Sequence, residues 1–253
     1  MLAPALLLPK VLAIAEAAGT VILRHFHQGT TVATKADASP VTAADEAGEA
    51  LILAGLRELT PTVPIVAEEA VAAGQVPEVG QGLFWLVDPL DGTKEFISGS
   101  GDFTVNIGLI DQRRPVLGVV LAPARGLAWW GAAGQGASRR EGHEVCSIAV
   151  RQRPALGAVA VASRSHRDEA TDAWLAAEGI TDTLSAGSSL KFCLVAEGKA
   201  DVYPRFGPTM EWDTAAGDAV LRAAGGRVET TDGAPFLYRK PGFRNPGFIA
   251  HGA

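Results

Sequence analysis

The stretch Trp85–Ile97, WLVDPLDGTKEFI, constrains the fold more than any other part of the chain. An apolar run of strand character ends abruptly in Asp88 and Asp91, with Pro89 and Leu90 between them. A buried strand that ends in acid places carboxylates at its carboxyl end, where α/β proteins gather their ligands. Pro89 fixes φ and lacks an N–H, so the link between the aspartates is stiff. Gly92 lets the backbone pass close to a ligand, and Thr93 can cap a following helix whose N–H groups face an anion. On its own, DPLDG also reads as an ordinary turn with acids in turn and cap positions.

Two further acidic positions break that tie. VPIVAEE is a short β-branched run ending in Glu68 and Glu69, and WDTAAGDAVLRAAGG is a helix carrying Asp213 at its start. Taken singly, the glutamates read as solvated loop acids and Asp213 as a helix cap. Taken together, all sit at element ends that can share one cleft. Carboxylates crowded there repel one another. A hard divalent cation relieves the repulsion, and Mg²⁺ accepts such oxygen donors, with the Leu90 carbonyl as one more.

The bulk numbers set limits around that site. A chain of 253 residues suits one large domain or two packed halves, and 47% hydrophobic content supplies a large core. A net charge of −6 argues against nucleic-acid binding, which needs a basic footprint. Cys146 and Cys193 match no metal motif or disulfide framework, and read as reduced, buried thiols in a cytoplasmic protein. After Pro9, Val11, Ile14, Ala18, Val21 and Ile22 recur at helical spacing, which predicts an amphipathic helix with proline in its first turn. The interruption by Pro9 and Lys10 argues against a signal peptide, and no transmembrane segment is expected.

The remaining pattern predicts helices on mixed sheets. A helix is expected over Ala43–Leu59, and antiparallel strands over FTVNIGLID and RPVLGVVLAPARGLAWW. The second half reads as a strand (ALGAVAVAS), a short helix (DEATDAWLAAEG), a helix in SSLKFCLVAEGKA, a strand (ADVYPRF), the Asp213 helix, a hairpin in GRVETTDGAPF and a closing strand. The halves are drawn as 1–145 and 146–253.

VAEE, WLVDPLDGTKEFI and WDTAAGDAVLRAAGG together resemble the signature set of the inositol monophosphatase-like, lithium-sensitive phosphomonoesterases. KADASPVTAAD, SRSH, GSSLKFCLVAEGKADVYPRFGPT and NPGF are similar to the CysQ-type branch, the 3'(2'),5'-bisphosphate nucleotidases. The likeness runs from about Lys35 to the C-terminus. It implies a layered αβαβα sandwich. It also implies hydrolysis of the 3'-phosphate of adenosine 3',5'-bisphosphate to AMP, with the 5'-phosphosulfate form also accepted. Attack would be in line, by water activated between two metal ions, without a covalent intermediate.

By position, the resemblance puts metal ligands on Glu68, Asp88, the Leu90 carbonyl, Asp91 and Asp213. It puts the water-orienting pair on Thr93 and Asp45, with Lys35 and Thr42 as weaker supporting positions. Read bare, Asp45 is an ordinary first-turn helix acid. Substrate contacts fall on Glu68, Asp91, Gly92, Thr93, Lys94, Ser163, His166, Gly187, Ser188, Lys191, Arg205 and Asp213. Of these, Gly187, Ser188 and Ser189 would present N–H and hydroxyl groups at a helix start, with Lys191 and Arg205 gripping a 5'-phosphate. Without the resemblance, those positions read as a cap, an exposed lysine and a surface arginine. Where the family commonly has Ser or Gly before the two glutamates, this chain has Ala67.

The implied cofactor is Mg²⁺, two or three ions, with Mn²⁺ able to substitute and Li⁺ inhibitory. The implied partner is a small nucleotide. A monomer and a homodimer both fit, and the resemblance leaves room for peripheral association with the cytoplasmic face of a membrane. An inositol or sugar monophosphatase with the same metal site is the second reading, and a noncatalytic nucleotide-binding relative the third.

Overall fold

The structure, a computed structural model, describes residues 4–34, 40–163 and 168–253. Lys35 and His166 lie outside the described residues. The first helix, α1 (Pro4–Gln28), begins five residues before Pro9, so Pro4 takes the first turn and Pro9 lies inside. One lost backbone bond is tolerated because Leu7, Val11, Ala15, Ala18 and Ile22 form a buried stripe. Contrary to the sequence reading, α1 is long and apolar enough to cross a bilayer by length and composition. Here its stripe packs on a sheet instead. A ribbon of β1 (Val32–Thr34) and β2 (Pro40–Thr42) leads into α2 (Ala43–Leu59), which has the bounds its periodicity predicts.

The larger sheet holds, side by side, β3 (Ile65–Ala67), β4 (Phe84–Asp91), β5 (Thr104–Asp111), β6 (Arg114–Ala122), β7 (Leu127–Ala132), β8 (Gly136–Glu141) and β9 (Glu144–Ile148). Only β3 and β4 run parallel. The glutamates expected to end β3 instead open a short helix, α3 (Glu68–Ala72), and α4 (Thr93–Ile97) follows β4.

The smaller sheet contains β10 (Val159–Ser163), β11 (Asp182–Ala186), β12 (Val202–Arg205), β14 (Arg227–Thr230) and β16 (Phe248–His251), in the order β11-β10-β12-β16-β14. Helices α5 (Glu169–Ala177), α6 (Leu190–Ala196) and α7 (Glu211–Ala223) fall in this half, with a ribbon of β13 (Thr209–Met210) and β15 (Arg244–Asn245). The helix expected from Ser188 starts only at Leu190. The expected hairpin after α7 is closed by a single bridge, Glu229 to Pro235, and β14 pairs with β16 instead.

Side-chain alternation builds the layers. On β4, Trp85 and Val87 join the core under α1 and α2, whereas Phe84 and Leu86 face the core shared with α6 and α7. That second core continues into the smaller sheet through Phe192, Tyr203 and Phe248. Leu175 of α5 closes the outer face against Ala160 and Val202. The result is the expected αβαβα stack.

One close approach holds the middle of the stack. Gly108, Gly118 and Gly131 are cross-strand neighbours on β5, β6 and β7, and α7 lies over them. A Cβ at Gly118 would stand 2.2 Å from the Ala216 carbonyl oxygen, so α7 sits at a depth that only a glycine row permits.

Several strands went unread in the sequence: the short ribbons β1–β2 and β13–β15, and also β9 and β11. The last two matter most here. Both are edge strands with mostly exposed residues, so neither shows a hydrophobic alternation. For the same reason Cys146, on β9, is exposed rather than buried; Cys193, on α6, is buried as expected.

Candidate active site

A strand of period two puts residues i and i+3 on opposite faces, so Asp88 and Asp91 should point apart. They do not, because β4 carries a bulge. Asp88 pairs with Asn106 and Asp91 with Thr104, three steps on β4 against two on β5. The extra residue restores the parity. Asp88 Oδ1 accepts from the Leu90 N–H at 2.9 Å, which folds the PL corner back on the first aspartate. Asn106 Nδ2 lies 3.3 Å from Asp91 Oδ2 and steadies the second. Gly92 follows at φ 97°, where a side chain is strained.

The other acids arrive on helix starts. Asp213 is the third residue of α7, and its Oδ2 accepts the Met210 N–H at 2.7 Å. Asp45 is the third residue of α2, and its Oδ2 accepts from Thr42 N at 2.8 Å and Thr42 Oγ1 at 2.7 Å. Its Oδ1 lies 3.4 Å from Thr93 Oγ1. The plain helix-cap reading and the functional one therefore hold together at Asp45, one oxygen for each. Glu68 is set by a residue the sequence reading missed. Glu49 reaches from α2 to accept the Glu69 and Ala70 N–H groups, each at 2.8 Å, and so fixes the start of α3. Its position one turn after Asp45, on the same helix face, was the available signal.

These carboxylates face each other. Burial pushes Asp88 well above the usual carboxylate range, and the charges of Glu68, Asp91 and Asp213 push it further. Burial likewise raises Asp213, with Asp91 adding to it. Asp91 is raised by burial and held back by Lys191. Among the described residues, no three acidic, His or Cys side chains stand close enough as they lie to hold an ion. Asp88, Asp91 and Asp213 each commit one oxygen to a local donor, the pattern that orients carboxylates around an ion. The donor set is all oxygen: Glu68, Asp88, Asp91, Asp213 and the Leu90 carbonyl, the last 3.4 Å from Thr93 Oγ1. It fits a hard divalent cation.

The acids open into a cavity of about 310 Å³. Its walls include Gly92, Thr93 and Lys94 from the β4–α4 corner, Gly187 and Ser188 before α6, Lys191, and Arg205 at the end of β12. Glu95, Tyr203 and Thr209 also line it and were not foreseen. Tyr203 lies two residues before Arg205 on β12, a signal that was present in the sequence. Lys191 is buried, with Nζ 2.5 Å from the Ser188 carbonyl and over the Tyr203 ring. Burial pulls its pKa down to about 8, against the opposing pull of Asp91. Arg205 Nε is buried with no partner among the described residues, an orphaned donor beside the cavity. Ser163 ends β10, and only its backbone is described.

The model of the inositol monophosphatase family matches residues 7–248. The chain belongs to that family. Among curated relatives, the 3'(2'),5'-bisphosphate nucleotidase CysQ of Escherichia coli strain K12 is 48% identical over 248 residues, covering 96% of this chain and 98% of that protein. The crystal structure of CysQ from Bacteroides thetaiotaomicron, a bacterial member of the inositol monophosphatase family, superposes with a TM-score of 0.81 at 38% identity and 96% coverage of both chains. The inositol monophosphatase of Anabaena is more distant at 29% identity, with a TM-score of 0.78, covering 98% of this chain and 90% of that one. Family membership accounts for the shared stack of layers.

Proposed function

We propose that this chain is a Mg²⁺-dependent 3'(2'),5'-bisphosphate nucleotidase that releases the 3'-phosphate of adenosine 3',5'-bisphosphate, leaving AMP. One observation carries the choice of substrate: the cavity with the carboxylate cluster also holds Lys191 and Arg205. A sugar monophosphate brings one anion, for the metal side. A bisphosphate brings a second, which the buried Lys191 and Arg205 Nε, without a partner among the described residues, can take. The names of the curated relatives, 3'(2'),5'-bisphosphate nucleotidases, point to the same substrate class. A nucleotide bearing a 5'-phosphosulfate presents the same kind of anion there.

In this reading Glu68, Asp88, Asp91, Asp213 and the Leu90 carbonyl hold the divalent ions. Bound there, Mg²⁺ supplies charge to the scissile phosphate and a lowered pKa to the attacking water. The protein's own groups do the rest. Thr93 accepts a hydrogen bond from the attacking water and passes its own hydroxyl proton toward Asp45 Oδ1. Asp45 holds that geometry because its other oxygen is pinned by Thr42. Lys191 and Arg205 fix the far phosphate, so the 3'-phosphate rather than the 5' meets the carboxylates. A cytoplasmic enzyme is consistent with such a substrate.

Phosphate release from adenosine 3',5'-bisphosphate, the phosphosulfate analogue and inositol 1-phosphate, with Mg²⁺ and again with added Li⁺, tests the reading. Preference for the bisphosphate and loss of rate with Li⁺ are expected. Faster hydrolysis of inositol 1-phosphate would give the site to the second reading.

A further inference from the structure

Ser188 and Ser189 fill the corner between β11 and α6, where the smaller sheet's half meets the bulge of the larger one. Their hydroxyls do not point out as an anion cradle. Ser188 Oγ lies 2.7 Å from the Asp91 carbonyl oxygen and 2.8 Å from that of Asp102, one proton facing two acceptors. Ser189 Oγ donates to the Asp213 carbonyl at 2.8 Å, and it also lies within reach of the Asp91 carboxylate. Consecutive hydroxyls therefore hold the main chain at two of the proposed ligands, one at the end of β4 and one at the start of α7.

The corner is shaped for this. Ser188 adopts φ 49°, an unusual conformation for serine, which turns its side chain toward β4 and its carbonyl toward Lys191. A Cβ at Gly92 would meet Ser188 Oγ at 2.2 Å, and one at Gly187 would meet the Asp102 carbonyl at 2.7 Å. Glycine at both places lets the two loops touch. Backbone strain of this kind persists where surrounding contacts over-determine it.

Resting on the two-metal reading above, we infer that Ser188 and Ser189 are positioning residues that set the distance between Asp91 and Asp213. Asp91 ends a strand and Asp213 opens a helix, so no shared element holds their spacing, and the serine pair supplies a link. Groups that orient a ligand from outside the coordination shell carry much of a site's affinity for its ion.

Mn²⁺ binding, followed by electron paramagnetic resonance without substrate, tests the inference on wild type, Ser188→Ala and Ser189→Ala. Thr60→Ala is the control: it removes a buried bond to Trp85 Nε1, 2.9 Å long, away from the site. We expect Mn²⁺ affinity to fall roughly tenfold in Ser189→Ala and by a smaller factor in Ser188→Ala. Thr60→Ala should lower thermal stability and leave Mn²⁺ binding unchanged. If Ser189→Ala does not fold, Ser188→Ala alone carries the decision. Wild-type affinity retained in the folded serine variants overturns the inference while leaving the functional reading standing. A wild-type protein that binds no Mn²⁺ overturns both.

Discussion

Helix α7 carries carboxylates of two kinds, with Glu211 and Asp218 buried and Asp213 half-buried at the cavity. Asp218 is matched: Arg222 Nε lies 2.7 Å from one oxygen and Tyr238 Oη 3.0 Å from the other. Glu211 is matched as well, accepting the Arg239 and Lys240 N–H groups at 2.8 Å each, with Lys240 Nζ at 2.7 Å. Asp213, on the same helix, instead faces Asp91 and Glu68. Burial alone does not separate these cases, since it lifts even the matched Asp218 to about 6. The neighbours do. Acids that pair directly with a cation hold the fold together. Acids that meet acids are arranged for a cation that the polypeptide does not itself provide.

That contrast is breakable at four points. The largest effect belongs to the matched set. Glu211→Gln should cost roughly 3–5 kcal/mol, because removing one partner of a buried pair strands the other. Chemical denaturation would measure it, and turnover per folded molecule should change little. At the site the pattern reverses. Asp91→Asn should lose about 100-fold or more in turnover, a loss in the range seen when one group that stabilises transition-state charge is removed. Its metal-free melting temperature should rise above wild type, since one member of a repelling cluster is gone. A metal-free variant that melts lower would place Asp91 in the matched class.

Arg205→Ala sharpens the substrate side. KM for the bisphosphate should rise by about tenfold, on the scale of one lost charge-assisted contact, with little change for inositol 1-phosphate. Equal losses on both substrates would remove the 5'-phosphate role. The smallest effect is a pH slope. Lys191 is charged below its pKa of about 8, so nucleotide affinity should hold through neutral pH and decline as pH rises past it. A bound anion favours the charged form, which fixes that sign. In Lys191→Met the slope should vanish, and a slope that persists would belong to another group.

Much of this was readable beforehand, for reasons that can be located. The helix over Ala43–Leu59 carries its periodicity, and the run Phe84–Val87 its unbroken apolar character, in the chain itself. The acid pair in DPLDG was visible, but its common direction was not. By strand parity Asp88 and Asp91 diverge, and only pairing with β5 reveals the bulge that brings them together. Glu49 went unnoticed because its partners lie 20 and 21 positions away. Ser188 and Ser189 looked like a helix start because φ 49° cannot be read from a serine. Local periodicity survives in sequence, whereas groups that meet across layers do not announce their partners.

The central claim is that oxygen donors from α3, the β4 bulge and α7 enclose divalent cations. Anomalous diffraction from crystals soaked in Mn²⁺ measures this directly. We expect at least one strong peak bounded by Glu68, Asp88, the Leu90 carbonyl, Asp91 and Asp213. An empty anomalous map among these residues at saturating Mn²⁺ would contradict it.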